Sequence, residues 1–396
     1  MDLGVYPFDT ANRYEPAPEL VWLLANRPVA TVGLQSGDRA WLVTRYQDVK
    51  TVLSDARFSR RLNRPDAARL QSGFQNMDIP FADPPEHTRW RRMLFKTFTN
   101  RRVQDMRDAV QRTVDELIAR MWAQGTGADL VDVFSFPLPI STICQIFGVP
   151  TANERHLRAC ADALLSVDGY SDGEKMSAYG SLSRLTRGIV REKRNQLGDD
   201  LLSALILYRD EDGGPVLTDA ELETAFLLLL MAGYETTAQA ISKSLLTLFR
   251  HPDQMERLRQ EPALMGGAVE ELLRFTSMET GFGTPRYALE DVELSGLTIP
   301  KGATVLPVGQ AANWDPARFT EPEKFDIRRK QEDKHLTFGH GSHFCPGAGL
   351  ARLQLEIALT SLLREFPRLR LDTTPELVEW DVRIAAAGPA ALPVSW

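Results

Sequence analysis

The sequence contains little cysteine, with three residues in a chain of 396. A small, odd number in a chain of this length excludes a disulfide framework. Cys144 and Cys160 lie in stretches with apolar periodicity, which predicts buried structural thiols. Cys345 lies in a glycine-rich loop instead, and it needs a separate interpretation.

The sequence also lacks a basic excess and a long apolar run, and we expect no leader. Its 46 basic and 53 acidic residues give a formal net charge of −7, which argues against a general nucleic-acid binder. No run approaches the roughly 18 apolar residues that a membrane span requires. The first residues have neither a basic segment nor an apolar segment of the secretory kind. We expect a cytoplasmic protein without a membrane or nucleic-acid partner.

The order of periodic segments predicts one mainly α domain over residues 1–396, a large helical part with a smaller β-rich region. A β-rich N-terminal part covers about 1–60 and contains a predicted hairpin of Val29–Gln35 and Arg39–Tyr46. A helical core covers about 86–275, and a minor β and cysteine-loop region covers about 276–396.

Two helices of the core are predicted from periodicity and capping. Arg101–Gln124 repeats apolar residues every three to four positions, which is typical of one amphipathic helix. Thr218–Arg250 begins with a capping box, in which Glu221 stands three residues after Thr218. This second helix is apolar nearly all round at its centre, and we therefore expect it to be central and buried.

The strongest local signal is the segment Phe338-Gly339-His340-Gly341-Ser342-His343-Phe344-Cys345-Pro346-Gly347. Its glycines allow positive φ angles and a close approach to another group. Cys345 comes just before a predicted helix, whose N-terminus stabilises a thiolate. A thiolate on haem iron donates electron density and favours O–O cleavage. We expect Cys345 to bind haem iron; the alternative is a glycine-rich loop with an incidental cysteine.

A second signal lies in the middle of the long helix, at Ala232-Gly233-Tyr234-Glu235-Thr236-Thr237. Gly233 costs about 1 kcal/mol relative to alanine inside a helix, and buried polar side chains are costly unless they are hydrogen-bonded. A threonine hydroxyl can also bond back to a carbonyl and bend the helix. We expect a local opening with Glu235 and Thr236 as an acid–hydroxyl pair for proton delivery. The alternative is a core helix with a satisfied threonine.

Two weaker signals are charged pairs on helix faces. Glu271 and Arg274 are three residues apart and share a face. His87 and Arg91 are four residues apart and could together bind a carboxylate. Each pair, taken alone, is equally typical of a solvated helix surface.

In their order and spacing, these four signals resemble the cytochrome P450 family, in its soluble bacterial type. The resemblance covers essentially the whole chain. The cysteine loop matches at Phe338, Gly339, Gly341, His343, Cys345, Gly347 and Leu350-Ala351-Arg352. The resemblance implies the cytochrome P450 fold and a haem-thiolate monooxygenase or oxidase.

The resemblance also implies roles for individual residues. Cys345 would be the axial ligand of haem b, with Phe338 and Gly347 beside it. Four residues would neutralise the haem propionates: His87, Arg91, Arg286 and His343. Glu235 and Thr236 would manage O2 and protons, and Glu271 with Arg274 would be structural.

The family resemblance further implies a ferredoxin and a ferredoxin reductase as electron donors, and no tightly bound flavin. Basic side chains could form a docking patch for an acidic ferredoxin. The candidates are Arg91, Arg92, Lys96, Arg101, Arg102 and Arg352.

The sequence departs from the family pattern at three positions. Pro346 follows the cysteine where the family often has Leu or Ile, and Trp314 stands where Arg is usual. Lys324 stands where Arg or His often completes the network of Glu271 and Arg274. Because lysine lacks the bidentate fork of arginine, we expect a weaker network here.

Substrate specificity is expected in the segments that least resemble the family. Apolar, aromatic and small side chains favour a medium-sized, partly aromatic natural product of secondary metabolism. The predicted pocket residues are Phe74, Met77, Phe81, Ala232, Met278, Phe282 and Ala386.

A narrower resemblance concerns the Cys-Pro-Gly turn, the Ala-Asn-aromatic-Asp-Pro element and the Leu-Pro-Val-x-Trp ending. These are similar to cyclodipeptide-oxidising members of the family, which implies hydroxylation or C–C/C–N coupling of a diketopiperazine. The alternatives are a macrolide, terpenoid or other polyketide hydroxylase, a peroxide-driven haem enzyme, and a non-catalytic haem sensor. The acid–threonine pair argues against the last two, since a sensor needs no such pair and the resemblance implies that peroxide-driven members tend to replace it.

Overall fold

The computed structural model describes residues 4–8, 14–70, 83–166, 169–209, 217–276, 284–330, 334–382 and 386–396. The chain divides into two compact units. Unit 1 comprises Met1–Arg91 and Ala263–Ala348, and unit 2 comprises Arg92–Pro262 and Gly349–Trp396. The single domain expected over 1–396 stays a prediction.

Helices dominate the described residues, as the sequence predicts. The α-helices are α1 Pro18–Asn26, α2 Tyr46–Ser54, α3 Glu86–Thr97, α4 Asn100–Asp105, α5 Arg107–Gln124, α6 Pro137–Phe147, α7 Glu154–Leu165, α8 Asp172–Asn195, α9 Leu201–Leu207, α10 Asp219–Arg250, α11 Pro252–Gln260, α12 Met265–Phe275, α13 Gly309–Ala312 and α14 Ala348–Glu365. A π-helical turn, Val131–Ser135, precedes α6.

The strands are short. They are β1 Val5–Tyr6, β2 Val29–Leu34, β3 Arg39–Val43, β4 Phe58–Ser59, β5 Gly127–Asp129, β6 Arg286–Ala288, β7 Val292–Leu294, β8 Leu297–Ile299, β9 Thr304–Pro307, β10 Arg370–Leu371, β11 Trp380–Asp381, β12 Gly388–Pro389 and β13 Pro393–Ser395. The mainly α fold with a smaller β-rich region is confirmed.

Unit 1 contains a six-stranded sheet in the order β1-β2-β3-β9-β6-β4. The predicted N-terminal hairpin is its β2–β3 pair, and Gly37 occupies the left-handed region at φ 83° in the turn. Side chains alternate between the two faces along each strand. Val29 packs into one apolar cluster and Ala30 into another, so both faces are buried. The sheet therefore forms the rigid base for the chain segments that follow it.

Unit 2 is organised around α10, against which α6 and α8 pack. The capping box is confirmed: Thr218 accepts from the Glu221 amide while the Glu221 carboxylate accepts from the Thr218 amide. The helix ends at Arg250. The next residue, His251, precedes Pro252, and the helical region is disfavoured for a residue before proline. The all-round apolar pattern of Ala225–Ala232 predicts burial, which is confirmed only in part. Ala225, Phe226, Leu227, Leu230 and Met231 are buried, whereas Leu228 and Leu229 are partly buried and Ala232 is exposed.

The prediction of one helix over Arg101–Gln124 is wrong. The chain forms α4 and α5 there, separated at Met106. The amide of Met106 is shared between the carbonyls of Arg102 and Val103, both at 3.2 Å. Such a shared bond tightens the turn without shifting the apolar stripe, and periodicity alone therefore does not reveal the break.

Candidate active site

The cysteine loop of unit 1 is shaped by two glycines. Gly339 and Gly341 adopt φ 73° and 71°, a region that residues with a Cβ rarely enter. A Cβ on Gly341 would lie 2.8 Å from Cα of Ser54 at the end of α2. The loop therefore lies directly on the backbone of α2, and only glycine fits at this position.

Cys345 follows this close approach and is held by its backbone. Its amide donates to the Phe338 carbonyl at 2.9 Å. The residue is partly exposed, and α14 begins three positions later at Ala348. A Cβ on Gly347 would lie 3.9 Å from the Cys345 sulfur. The sulfur thus has a glycine beside it and a helix N-terminus next in the chain, an arrangement that favours a thiolate.

The predicted propionate ligands gather in the same unit. The rings of His87 and His343 stack with centroids 3.8 Å apart. Arg286 is almost fully buried, and its Nη1 donates to the carbonyls of Thr284 and Pro285 at 2.8 and 3.2 Å. Its Nη2 is also buried and has no hydrogen-bond partner among the described residues. A buried guanidinium nitrogen without an acceptor is costly and fits an anionic ligand.

Arg60 belongs to this cluster, although no sequence signal selects it. The side chain is buried, and its Nη1 donates to the Pro285 carbonyl at 3.2 Å. Phe58 pairs with Ala288 across the β4–β6 ladder, so Arg60 lies close to Arg286. A lone arginine after a short strand does not indicate a binding site by itself. Arg60 reaches the cluster only through the pairing of β4 with β6, which joins residues more than 220 positions apart.

The cluster has an excess of positive charge. Burial, together with neighbouring cations, lowers the pKa of His87 to about 4 and that of His343 to about 2. Burial lowers the pKa of Arg286 to about 10. The pKa of Arg60 lies well below its usual value, mainly because the side chain is buried and also because the charge of Arg286 is close. The charge of Asp83 acts in the opposite direction and raises the pKa of His87 and of Arg286. Because desolvated cations require anions, the site is suited to carboxylates.

Arg91 connects the cation cluster to the cysteine. Burial lowers the pKa of its half-buried guanidinium, whereas the charge of the neighbouring Cys345 acts in the opposite direction and raises it. The structure thus brings His87, Arg91, Arg286, His343 and Cys345 into one region of unit 1. This is the donor set that a haem requires: a sulfur for the iron and cations for two propionates.

The network around Glu271 corrects the expectation for Lys324. Arg274 donates from Nε and Nη2 to the two Glu271 oxygens at 2.8 and 2.9 Å. Arg329 donates from Nε to both of these oxygens at 3.0 Å. The Lys324 side chain pairs with Glu321 instead, and its carbonyl accepts from Arg329. The network is not weakened by lysine, because Arg329 supplies the third member.

This network extends to the cysteine loop. Arg274 Nη1 donates to the Asn313 carbonyl at 3.0 Å, and the Asn313 side chain accepts from the Leu336 amide at 2.6 Å. Thr337, next to Phe338, receives a hydrogen bond from Asn313 and donates to the Leu273 carbonyl. The buried acid therefore positions the start of the loop that carries Cys345.

The acid–threonine pair lies in unit 2, on α10. Thr236 is exposed and its hydroxyl donates to the Ala232 carbonyl at 2.6 Å, while Tyr234 and Glu235 are buried. Gly233 faces α6, where an added Cβ would lie 3.3 Å from Ile143. The helix is continuous from Asp219 to Arg250, so the prediction of a local opening is wrong. The hydrogen bond from Thr236 back to a carbonyl satisfies the hydroxyl without breaking the helix.

Glu235 is only 3% exposed. Its Oε1 accepts a hydrogen bond from the backbone amide of Ala386. Burial raises the pKa of the carboxyl to about 7, with this hydrogen bond acting in the opposite direction. A carboxyl with a pKa near neutrality holds and releases a proton with nearly equal ease.

The predicted substrate pocket is only partly described. Ala232 is exposed on α10, and Ala386 is buried against Glu235. The remaining pocket residues lie outside the described residues: Phe74, Met77, Phe81, Met278 and Phe282. Among the helices that are described, none combines the length and apolarity needed to cross a membrane.

Comparison with known proteins identifies the family. A family model for cytochrome P450 matches residues 19–160 and 159–380. Nocardicin C N-oxygenase of Nocardia uniformis subsp. tsuyamanensis is 38% identical over 100% of this chain and 99% of its own length. Cytochrome P450 monooxygenase PikC of Streptomyces venezuelae is 39% identical over 100% of this chain and 94% of its own.

A solved structure supports the same assignment. Cytochrome P450mel 107F1, described as having biaryl coupling reactivity, superposes with a TM-score of 0.88 at 39% identity. The match covers 98% of this chain and 99% of that one. The chain therefore belongs to the cytochrome P450 family and is a cytochrome P450 monooxygenase.

Proposed function

We propose that the chain binds haem b through the Cys345 thiolate and oxidises a medium-sized, partly aromatic natural product. The observation that carries the proposal is the buried cation cluster of unit 1, with Arg286 Nη2 lacking an acceptor among the described residues. Bound haem would supply thiolate-ligated iron, at which O2 is reduced by two electrons. Family membership implies this cofactor and co-substrate.

The residues of unit 1 hold the cofactor. Cys345 provides the sulfur, and its amide bond to Phe338 fixes the loop that presents it. His343, His87 and Arg286, together with Arg91 and Arg60, would donate to the propionate oxygens of the bound haem. Anionic partners would restore the pKa values that burial lowers in this cluster.

The residues of unit 2 manage protons. The Glu235 carboxyl, with its pKa raised to about 7, is protonated in about half of the molecules at neutral pH and can both take up and release a proton. The exposed Thr236 hydroxyl donates to the Ala232 carbonyl, so its lone pairs are available to accept a hydrogen bond; to pass a proton on, the hydroxyl would first turn its own hydrogen away from that carbonyl. The pair therefore acts as an acid with an adjacent hydroxyl relay, as general acid catalysis requires.

The thiolate assignment is tested with the ferrous–CO spectrum of purified Cys345→Ala, with Cys160→Ala as the matched control. Cys160 is a buried thiol on α7 whose pKa is raised by burial. We expect the control to retain the red-shifted Soret band and Cys345→Ala to lose it. A Cys345→Ala protein with an unchanged band would overturn the assignment.

We propose a ferredoxin, reduced by its reductase, as the electron donor. Arg101 and Arg102 are exposed on α4, whose Val103 lies 3.7 Å from the Cβ position of Gly349 on α14. Arg352 follows on the same helix, so the three basic residues lie on neighbouring elements of unit 2. An acidic ferredoxin would complement this charge, and its association rate would fall steeply with salt.

The docking proposal is tested by stopped-flow reduction with an acidic ferredoxin over a salt series. Reversing the charge at Arg102 (R102E) should slow association at low salt and flatten the salt dependence. Arg120→Glu, on the exposed part of α5, is the matched control. Equal effects of both variants would show that net charge, and not this surface, determines the rate.

For the substrate we propose an aromatic cyclodipeptide that is hydroxylated or coupled. The support is the similarity of three sequence elements to cyclodipeptide-oxidising members, together with a structural relative described as a biaryl coupler. Titration with diketopiperazines containing Trp or Tyr should shift the Soret band from low to high spin. If none of them shifts it and a macrolide, terpenoid or other polyketide does, the alternative class is correct.

A further inference from the structure

Three buried polar side chains lie along one stripe of α10. They are Glu235, Gln239 and Lys243, which are 3%, 1% and 5% exposed. Residues four apart on a helix lie one turn above each other on nearly the same face. Because burying polar groups is unfavourable, three successive ones in a largely apolar helix indicate a function.

The β11–β12 hairpin covers this stripe. Ala386, just before β12, donates its amide to Glu235. A Cβ on Gly388 would collide with Oε1 of Gln239, so the amide group of Gln239 lies directly against this glycine. At the next turn the Lys243 ammonium lies 5.6 Å from the centroid of Trp380, the first residue of β11.

Gln239 Oε1 is buried and accepts no hydrogen bond from the described residues. An amide oxygen accepts two hydrogen bonds, and a buried one that receives none is rare in native proteins. Glu235 lies one turn away on the same stripe, and a water that contacted both this oxygen and the carboxyl would supply the missing hydrogen bond.

The charges around Glu235 come from three elements. Lys243 on α10 lowers the pKa of its carboxyl, whereas Asp162 on α7 and Asp381 on β11 raise it. Asp162 accepts a hydrogen bond from Tyr234 at 2.8 Å. Asp381 pairs with Gly388 across the hairpin and is only partly buried. The stripe on α10 therefore begins at a buried acid, Glu235, and the hairpin that covers it carries a carboxylate, Asp381, that solvent can reach.

We propose that Gln239, Lys243 and Asp381 form the route by which Glu235 is reprotonated from solvent. The proton enters from hydronium beside Asp381 and Lys243, passes along water held by Gln239 Oε1, and ends on a Glu235 carboxylate oxygen. Hydronium becomes water and no other bond changes. Gln239 is a positioning residue, and the proposal rests on the proposed role of Glu235.

The charge part of the proposal is tested by infrared difference spectroscopy of the holoenzyme. The carbonyl stretch of protonated Glu235 is assigned by its loss in Glu235→Gln and followed with pH. Lys243→Met should move its titration to higher pH and Asp381→Asn to lower pH. Lys301→Met, an exposed lysine of unit 1, should leave it unchanged. Absence of these opposite shifts would overturn the assignment of the charges.

The relay part is tested by the solvent deuterium isotope effect on product formation and by peroxide release. Gln239→Leu should increase both severalfold while leaving the ferrous–CO spectrum unchanged. Gln239→Glu, which keeps an oxygen acceptor, should retain values close to wild type. Wild-type behaviour of Gln239→Leu would overturn the relay.

Glu235→Gln, measured in parallel, separates the two proposals. If Glu235→Gln leaves product formation and peroxide release unchanged, the proposed role of Glu235 itself is wrong. If Glu235→Gln impairs turnover and Gln239→Leu does not, only the route is wrong.

Discussion

Arg329 donates from one nitrogen to both carboxylate oxygens of Glu271, each at 3.0 Å. Glu271 is fully buried, and Arg274 bonds the same oxygens from its own helix. The acid thus has two arginine partners, one local and one from a distant loop. Removing one partner of a buried ion pair is far more costly than removing an exposed one.

Replacement of Arg329 by Ala is therefore expected to lower the free energy of unfolding by about 1.5–3 kcal/mol, because it removes hydrogen bonds to a buried carboxylate that Arg274 still pairs, and to weaken haem retention. Lys324→Arg is the matched control, because the Lys324 side chain pairs with exposed Glu321 and not with Glu271. We expect this control to change stability by less than about 0.5 kcal/mol. Denaturant unfolding of the holoprotein measures both. Strong stabilisation by Lys324→Arg would show that Lys324 belongs to the network after all.

A second prediction concerns the buried cations of unit 1. Arg286→Met and Arg60→Met should each weaken haem binding at least about tenfold, since each would remove a proposed charge-assisted hydrogen bond to a propionate. Arg61→Met is the matched control, because Arg61 is exposed and pairs with Glu86 on the surface. Haem transfer to apomyoglobin measures the loss rate for each protein. Equal loss rates for Arg60→Met and Arg61→Met would remove Arg60 from the propionate site.

The comparison of Arg60 and Arg329 with Cys345 shows which parts of the site can be predicted from sequence. Cys345 and the glycines beside it form a local pattern, since φ angles and helix position depend on neighbours in the chain. The capping box of α10 is predictable for the same reason. Arg60 and Arg329 act through partners fixed by the β4–β6 register and by a loop fold. Neither long-range arrangement leaves a periodic or spacing signal.

A third prediction follows from the raised pKa of Glu235. The carboxyl has a pKa of about 7 when folded and an ordinary value near 4.5 when unfolded. Between these values the unfolded state releases the proton first, so stability falls as pH rises and levels off above about 7. Glu235→Gln has no such proton. Its stability relative to wild type should therefore rise from about pH 4.5 to 7, by up to about 3 kcal/mol.

Denaturant unfolding of both proteins across this pH range measures the difference. Glu174→Gln is the control, because Glu174 is exposed and its pKa is lowered by Ser171. Its difference from wild type should not increase between about pH 5 and 7. A flat difference for Glu235→Gln as well would show that burial does not raise the pKa of this carboxyl.

The last prediction separates two glycines of the cysteine loop. Gly341→Ala should abolish stable haem binding, because its Cβ would lie 2.8 Å from Cα of Ser54 and 2.9 Å from the Leu53 carbonyl oxygen. Gly339→Ala is the matched control: it has the same φ region, but its Cβ would meet only the His343 carbonyl, at 3.9 Å. The control incurs the left-handed strain of about 1 kcal/mol without a collision. The Soret absorbance per protein and the ferrous–CO spectrum measure both variants. Comparable haem content in the two would mean that the loop can move away from α2 without displacing Cys345.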